Sequence, residues 1–367
     1  MADPIVVPSA AENEGQGLGN SRDSEQQTII AGDVGATSTG EEIEAPGITV
    51  HSLAELRDTI LHNSLRSSTH KTYESKERKW LKFCKLHDID PHNQGTDVFL
   101  NFLAWIFRNK GKWGYIKGFP PALSKYFNNK YIDKTQVSRM LKGIFNLRPP
   151  VPRYTAVWDV NIVLHYIAAM IVDNYKDRVK KTAILLMLLS GNRVNMLSHF
   201  KVSNMFITKD ECTFVFDEAL KTSRPNWNTE PMVFRVYPEL PSLCPVNNII
   251  DYMAERDTMT GEDAFFITHA KPHHGAAPGT IARWIKDMLC LAGIDSGRYT
   301  AHSCRSAVTS AAAFAGISLT TIIKSASWSN VTTFKKFYLK EITEYYAVEK
   351  ENFGELTLSK YVDACTV

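Results

Sequence analysis

The sequence predicts a mainly α-helical protein with one small antiparallel β-sheet, divided into two domains. Three observations predict it. Residues 51–150 repeat apolar and aromatic residues at helical spacing among many Lys and Arg. The stretch Arg148–Arg153 (RPPVPR) carries three prolines, which break a helix and favour extended chain. Beyond it, apolar helix patterns flank a group of short β-type runs. At about 150 residues per domain, the 367 residues suit two domains. A hydrophobic content of 44% against 22% charged is the balance of a globular chain.

The elements follow in order. Residues 1–50 hold nine acidic residues and one basic residue, Arg22, for a net charge of −8, and no aromatic. Such a segment buries too little apolar surface to offset its ordering entropy, which predicts a disordered acidic tail. A helix is expected near Ser52–His62. Ser68–His87 places Tyr73, Trp80, Phe83 and His87 at helical spacing. Val98–Phe107 carries Phe99, Phe102, Leu103 and Ile106 on one face. Gly111–Pro121 reads as a loop, and Pro120–Asn128 and Gln136–Leu147 as two further helices. Residues 51–150 hold eighteen Lys and Arg against eight Asp and Glu, a net charge of +10. That is the electrostatic footprint of a nucleic-acid binder, and also that of a bundle with a solvated basic face.

After the proline-rich break, Trp158–Val172 and Val179–Ser190 read as buried helices, the second stopped by Gly191. Asn204–Thr208, Thr213–Phe216 and Met232–Tyr237 read as strands, with a turn at Lys209-Asp210-Glu211. Asn247–Glu255, Thr280–Leu291, Ser303–Ala315, Leu319–Ala326 and Thr333–Ala347 read as helices. The longest apolar run, Ala183–Leu189, is shorter than the roughly 20 residues of a membrane helix, and no secretory signal pattern opens the chain. Six cysteines are scattered singly with no C-x-x-C, which argues against a disulfide scaffold and a Cys-rich zinc module.

The motifs G-x-x-x-x-G-K-[ST], G-x-G-x-x-G and H-E-x-x-H are absent, so ATP, dinucleotide and zincin readings lack their signatures. His273-His274 has no further ligands at metal spacing. No metal and no cofactor is therefore expected. One ordered set stands out. Arg193 follows the second buried helix, His302 and Arg305 form H-x-x-R at the start of an apolar helix, Trp328 lies 23 residues later, and Tyr338 lies ten beyond that.

This order, R…K…H-x-x-R…W…Y, resembles the tyrosine recombinase (phage-integrase-like) superfamily over about residues 51–350. The stretches LSGNRVNMLSHF, TAHSCRSA and SASWSNVTTFKKFYLK look most like recombinases of eukaryotic mobile elements, of the Crypton and DIRS/Ngaro types. The resemblance implies a helical, SAM-like core-binding domain at 51–147, a linker at 148–157 and an α+β catalytic domain at 158–348. It implies that these form a C-shaped clamp on double-stranded DNA. The remaining tail, 349–367, is the segment that docks on a neighbouring subunit in the family, which implies a homo-tetramer on DNA.

The implied chemistry needs three things: neutralised phosphate charge, a deprotonated nucleophile and a protonated leaving oxygen. By resemblance, Arg193 and Arg305 grip the phosphate with guanidinium forks. Tyr338 attacks to give a 3′-phosphotyrosyl intermediate, and with an ordinary phenol pKa of ~10 it needs nearby cations. His302 assists proton transfer, and Trp328 donates its indole N–H to the phosphate. Lys221, in Ala219-Leu220-Lys221-Thr222-Ser223, is the implied general acid, with Lys209 as competitor. Two departures from the family pattern are visible. Met196 stands where an acidic residue is frequent, and Phe337 occupies the usual nine-residue spacing from Trp328, one before Tyr338.

Lys71, Lys76, Lys79 and Lys112 are the expected phosphate contacts in the basic bundle. A DNA substrate implies the nucleus, with Lys176–Lys181 (KDRVKK) as an import signal or a solvated helix face. A domesticated, catalytically silent DNA-binding protein and a type IB topoisomerase-like enzyme are the other readings of the same resemblance.

Overall fold

The computed structural model describes residues 52–92, 94–127, 132–218, 220, 223, 230–328 and 331–342. The acidic tail 1–50, Lys221 and the tail 349–367 fall outside the described residues. The chain forms two compact units. One takes the described residues up to Ala104 together with those of 117–134. The other takes Trp105–Ile116 and the chain from Thr135 onward.

The first stretch holds α1 (Leu53–Asn63), α2 (Ser67–Leu86), α3 (Thr96–Arg108), α4 (Trp113–Ile116), α5 (Phe119–Ala122), a 3₁₀ turn at Ser124–Tyr126, and α6 (Lys134–Leu147). Ser52 caps α1 by accepting the Glu55 N–H. Two expectations change here. In place of a helix over Pro120–Asn128 there is only the single turn of α5 and the 3₁₀ turn. Prolines suit a first turn, where no N–H bond is needed, and cannot extend the ladder behind it. The expected loop at Gly111–Pro121 contains α4 and the start of α5.

The core of the first unit is aromatic because its helices place Phe and Trp at helical spacing. Trp80 is fully buried and donates its indole N–H to the Pro91 carbonyl at 3.2 Å. The rings of Phe83, Phe99, Phe102 and Phe127 surround it. Lys76 joins this packing. It is 5% exposed, and its ammonium lies 4.4 Å from the centroid of the Phe119 ring. Burial lowers its pKa. Lys71 and Lys79, on the same helix, are exposed, as is Lys112 in the second unit.

The second unit continues with β1 (Ala156–Val157), α7 (Val160–Ala169), α8 (Tyr175–Ser190), α9 (Val194–Leu197), β2 (Met205–Ile207), β3 (Glu211–Phe214) and β4 (Met232–Arg235). After a 3₁₀ turn at Pro241–Leu243 come α10 (Pro245–Arg256), α11 (Pro278–Leu291), α12 (Ser303–Phe314), α13 (Leu319–Ser325), α14 (Val331–Phe337) and β5 (Glu341–Ile342). From Val179 to Ser190 every residue of α8 is buried, with α10, α11 and α12 packed around it. A helix segment enclosed on all sides reads as apolar on every face, as Ala183–Leu189 does. Strands β2, β3 and β4 form an antiparallel sheet in that order, and Phe214 and Phe234 pack from it onto Phe200 and Phe265.

Two further differences follow. The helix expected over Thr333–Ala347 ends at Phe337. The chain then enters β5, which pairs in parallel with β1 at the end of the expected linker. Lys180 and Lys181 of the KDRVKK run are buried in α8, with Lys180 paired to Asp287 at 2.7 Å, so neither presents a solvated face. Among the described residues no helix is long and apolar enough to cross a membrane.

Candidate active site

The site is assembled where α8 ends and α12 begins. Gly191 stops α8 in the left-handed conformation, φ +55°, and returns its N–H to the Met187 carbonyl at 3.2 Å. That reversal turns the chain so that buried Asn192 donates to the Ser325 carbonyl at the end of α13, 3.0 Å away. Arg193 then takes the N-terminal cap position of α9 in extended conformation, with no side-chain cap bond of its own. The helix start at α12 is anchored separately. The Trp158 indole donates to Ser303 Oγ at 2.9 Å, and Ser303 Oγ donates to the Thr300 carbonyl at 2.7 Å. His302 occupies the N-cap position of this helix without a side-chain cap bond, and Arg305 lies three residues on, which puts both on one face.

Arg305 is fully buried. Its Nη1 donates to the Gly191 carbonyl at 2.9 Å, so the α8 stop also orients the guanidinium. The guanidinium lies 3.9 Å from the Trp328 ring centroid and 5.5 Å from that of Tyr338. Its Nε and Nη2, and the Trp328 indole Nε1, are buried and make no hydrogen bond with the described residues. Trp328 follows Ser327, which holds φ +51°, and its backbone N–H returns to the Ile323 carbonyl at 3.0 Å. The Tyr338 ring packs on Trp328 at 4.8 Å and meets the His302 ring at 5.9 Å. Tyr338 sits one residue past α14.

The electrostatics follow from this crowding. Arg305 is pushed down to about 9, first by burial and then by the positive charge of Arg193, with Tyr338 opposing both. It therefore stays protonated at neutral pH. The Tyr338 hydroxyl lies close to it without reaching hydrogen-bond geometry on Nε or Nη2. His302 keeps an exposed edge, yet desolvation, followed by the charges of Arg305 and Arg193, lowers its pKa from the ordinary 6.5. A neutral imidazole at pH 7 can accept a proton. The donors gathered here suit a tetrahedral oxyanion: a planar fork with two uncommitted N–H directions, an indole N–H and a second guanidinium nearby. Leaving such buried donors unpaired costs about 1–3 kcal/mol each, which an anion accepting from them would recover.

Four of the six residues of the ordered set thus meet, His302, Arg305, Trp328 and Tyr338, and a fifth, Arg193, lies near enough for its charge to act on His302 and Arg305. Lys221 falls outside the described residues, in the connection between β3 and β4. Lys209 lies in the β2–β3 turn with its side chain 90% exposed and Asp210 4.0 Å away. Among the described residues no group of three His, Cys, Asp or Glu could hold a metal ion. Asn192, the Gly191 carbonyl and Ser303 were not singled out by the sequence. Each holds a single neighbouring group in place and leaves no spacing pattern; only the G-N between an apolar helix and an arginine hints at the first two.

No family profile matches this sequence, and a search of curated proteins returns no match. Solved structures do match. The integrase of the Tn1549 transposon in complex with transposon right-end DNA is similar at a TM-score of 0.56 and 11% identity, over 80% of this chain and 94% of that one. The same integrase with circular intermediate DNA gives 0.52 and 11%, over 80% and 94%. A lambda integrase dimer bound to a core site gives 0.48 and 14%, over 83% of this chain and all of that one. The likeness is one of fold. The helical architecture with its three-stranded antiparallel sheet is shared with the Tn1549 integrase.

Proposed function

We propose that the protein is a tyrosine recombinase of a eukaryotic mobile element, which cuts and rejoins double-stranded DNA. The observation that carries this reading is the meeting of Tyr338 with His302, Trp328 and the uncommitted N–H groups of Arg305. The Tyr338 oxygen attacks the scissile phosphorus. A P–O bond to the phenol forms, the bond to the 5′-oxygen breaks, and a 3′-phosphotyrosyl intermediate remains. His302 takes the phenol proton, and Lys221 gives a proton to the leaving oxygen. Arg193, Arg305 and Trp328 hold the phosphate oxygens as charge builds on them. Attack by another 5′-hydroxyl reverses the step and rejoins the strand. The phosphotyrosyl bond retains the energy of the broken phosphodiester, so the reaction calls for no ATP, and the guanidinium charges supply the electrostatic role that a metal could play.

The transposon-end and circular-intermediate DNA held by the similar Tn1549 integrase supports the same substrate class. Exposed Lys71, Lys79 and Lys112 are the proposed phosphate contacts, with a homo-tetramer as the exchanging species and the nucleus as its place. The experiment is covalent trapping: protein with element-terminus duplexes and a nicked suicide duplex, in EDTA without ATP, resolved on denaturing gels. An adduct that disappears in Tyr338→Phe is the expected result. An adduct that survives moves the nucleophile elsewhere, and tight DNA binding with no adduct favours a silent DNA-binding protein.

A further inference from the structure

Nucleophilic attack depends on where the phenol oxygen is held, and α14 holds only the N–H groups of Tyr338 and Leu339, through the Phe334 carbonyl at 2.9 and 3.0 Å. The helix ends at Phe337, so the Tyr338 carbonyl is one of the terminal groups that have no partner within a helix. Ser310 supplies that partner. Its Oγ donates to the Tyr338 carbonyl at 2.9 Å and accepts the Lys340 N–H at 3.0 Å. One hydroxyl therefore grips the backbone on both sides of Leu339. Ser310 is fully buried, so water does not compete for either bond. It lies on α12, the helix that carries His302 at its cap and Arg305 in its first turn.

We propose that Ser310 is a positioning residue for Tyr338, which fixes the turn bearing the phenol to the helix bearing His302 and Arg305. The proposal rests on the reading of Tyr338 as the nucleophile. Without the hydroxyl, the turn loses two bonds and gains freedom in the direction that sets the distance from phenol to phosphate. A displacement of about 1 Å is enough to slow an oriented attack by roughly 100-fold. Ser310→Ala also leaves two backbone groups unpaired, so a control for general destabilisation is needed. Thr182 serves, as a buried hydroxyl in α8 that donates to the Arg178 and Asn248 carbonyls away from the site.

The test uses the full chain and three variants: Ser310→Ala, Ser310→Thr and Thr182→Ala. Adduct formation is measured in single turnover on the nicked suicide duplex at saturating protein. DNA affinity is measured by gel shift, and amide hydrogen exchange is followed at Lys340. Ser310→Ala is expected to bind DNA as the parent does, to form adduct about 10- to 100-fold more slowly, and to lose protection at the Lys340 amide. Ser310→Thr, which keeps the hydroxyl, is expected to recover most of the rate. Thr182→Ala is expected to melt earlier and keep its rate. Ser310→Ala at parental rate overturns the proposal, as does equal slowing of Ser310→Ala and Thr182→Ala. If the parent itself forms no adduct, the recombinase reading fails separately. Lys340 exchange then decides whether Ser310 anchors the turn, and unchanged exchange in Ser310→Ala overturns that as well.

Discussion

Taking a guanidinium wholly out of water is costly, and Arg305 recovers only part of that cost from the Gly191 carbonyl and the Trp328 face. Two of its donor positions remain uncommitted, which is a poor arrangement for stability and a good one for gripping an anion whose charge grows during reaction. Arg305→Lys keeps the charge but has no planar fork, so adduct formation should fall by about 100-fold or more while DNA affinity changes little. His302 supplies a pH prediction. Its folded pKa lies below 6.5, so the unfolded chain binds this proton more readily. Its contribution to stability is held above pH 6.5 and lost as pH falls through the folded value. If His302 is the base of the proposed mechanism, the same proton blocks it, so kcat/KM for cleavage should show an acid limb with its midpoint below 6.5, and His302→Asn should lack that limb. A limb unchanged in His302→Asn would assign the proton to another group.

The stop at Gly191 is the element-scale feature on which the site depends, since it ends α8, launches Arg193 and orients Arg305. A Cβ there would sit in ordinary contact with Thr309 and Ala326, so space does not forbid it; the left-handed φ does. Gly191→Ala should destabilise the protein by about 1–2 kcal/mol in urea titration, and Gly191→Asn by less, since Asn tolerates this conformation. The stop was legible in the sequence because a glycine followed a long apolar run. So were α8, α12 and the three-stranded sheet, whose patterns persist over several residues. The single-turn helices α4, α5 and α9 were not, because one turn is too short to show a period. Strands β1 and β5 were missed because two residues cannot alternate, and nothing in Leu339–Ile342 punctuates the end of α14. Of the site, the side chains that the fold brings together were readable from their order. Ser310 and Asn192 were not, because each works by holding a carbonyl, a role that many residues of their type could fill.

Across the whole molecule, charge is distributed unevenly along the chain, with net +10 in residues 51–150. If that surplus meets phosphate, DNA affinity should fall steeply with salt, and replacing Lys71, Lys79 and Lys112 together by alanine should reduce the slope by about 2–3. Lys76→Met should leave the slope unchanged and alter stability instead, because the Lys76 ammonium is spent on the Phe119 ring. Fluorescence anisotropy titrations at several salt concentrations would read both. The parallel pairing of β1 with β5 also sets the order of events as the chain is made. Lys340 Nζ bonds the Tyr154 carbonyl across 186 residues of sequence, and Ala156 pairs with Glu341 beside it. Contacts so distant in sequence close late. A ribosome must therefore deliver nearly all of the described chain before the turn bearing Tyr338 can be pinned. A nascent or prematurely terminated polypeptide could already hold the folded helices around Trp80, yet Tyr338 would have nothing to seat it against His302 and Trp328.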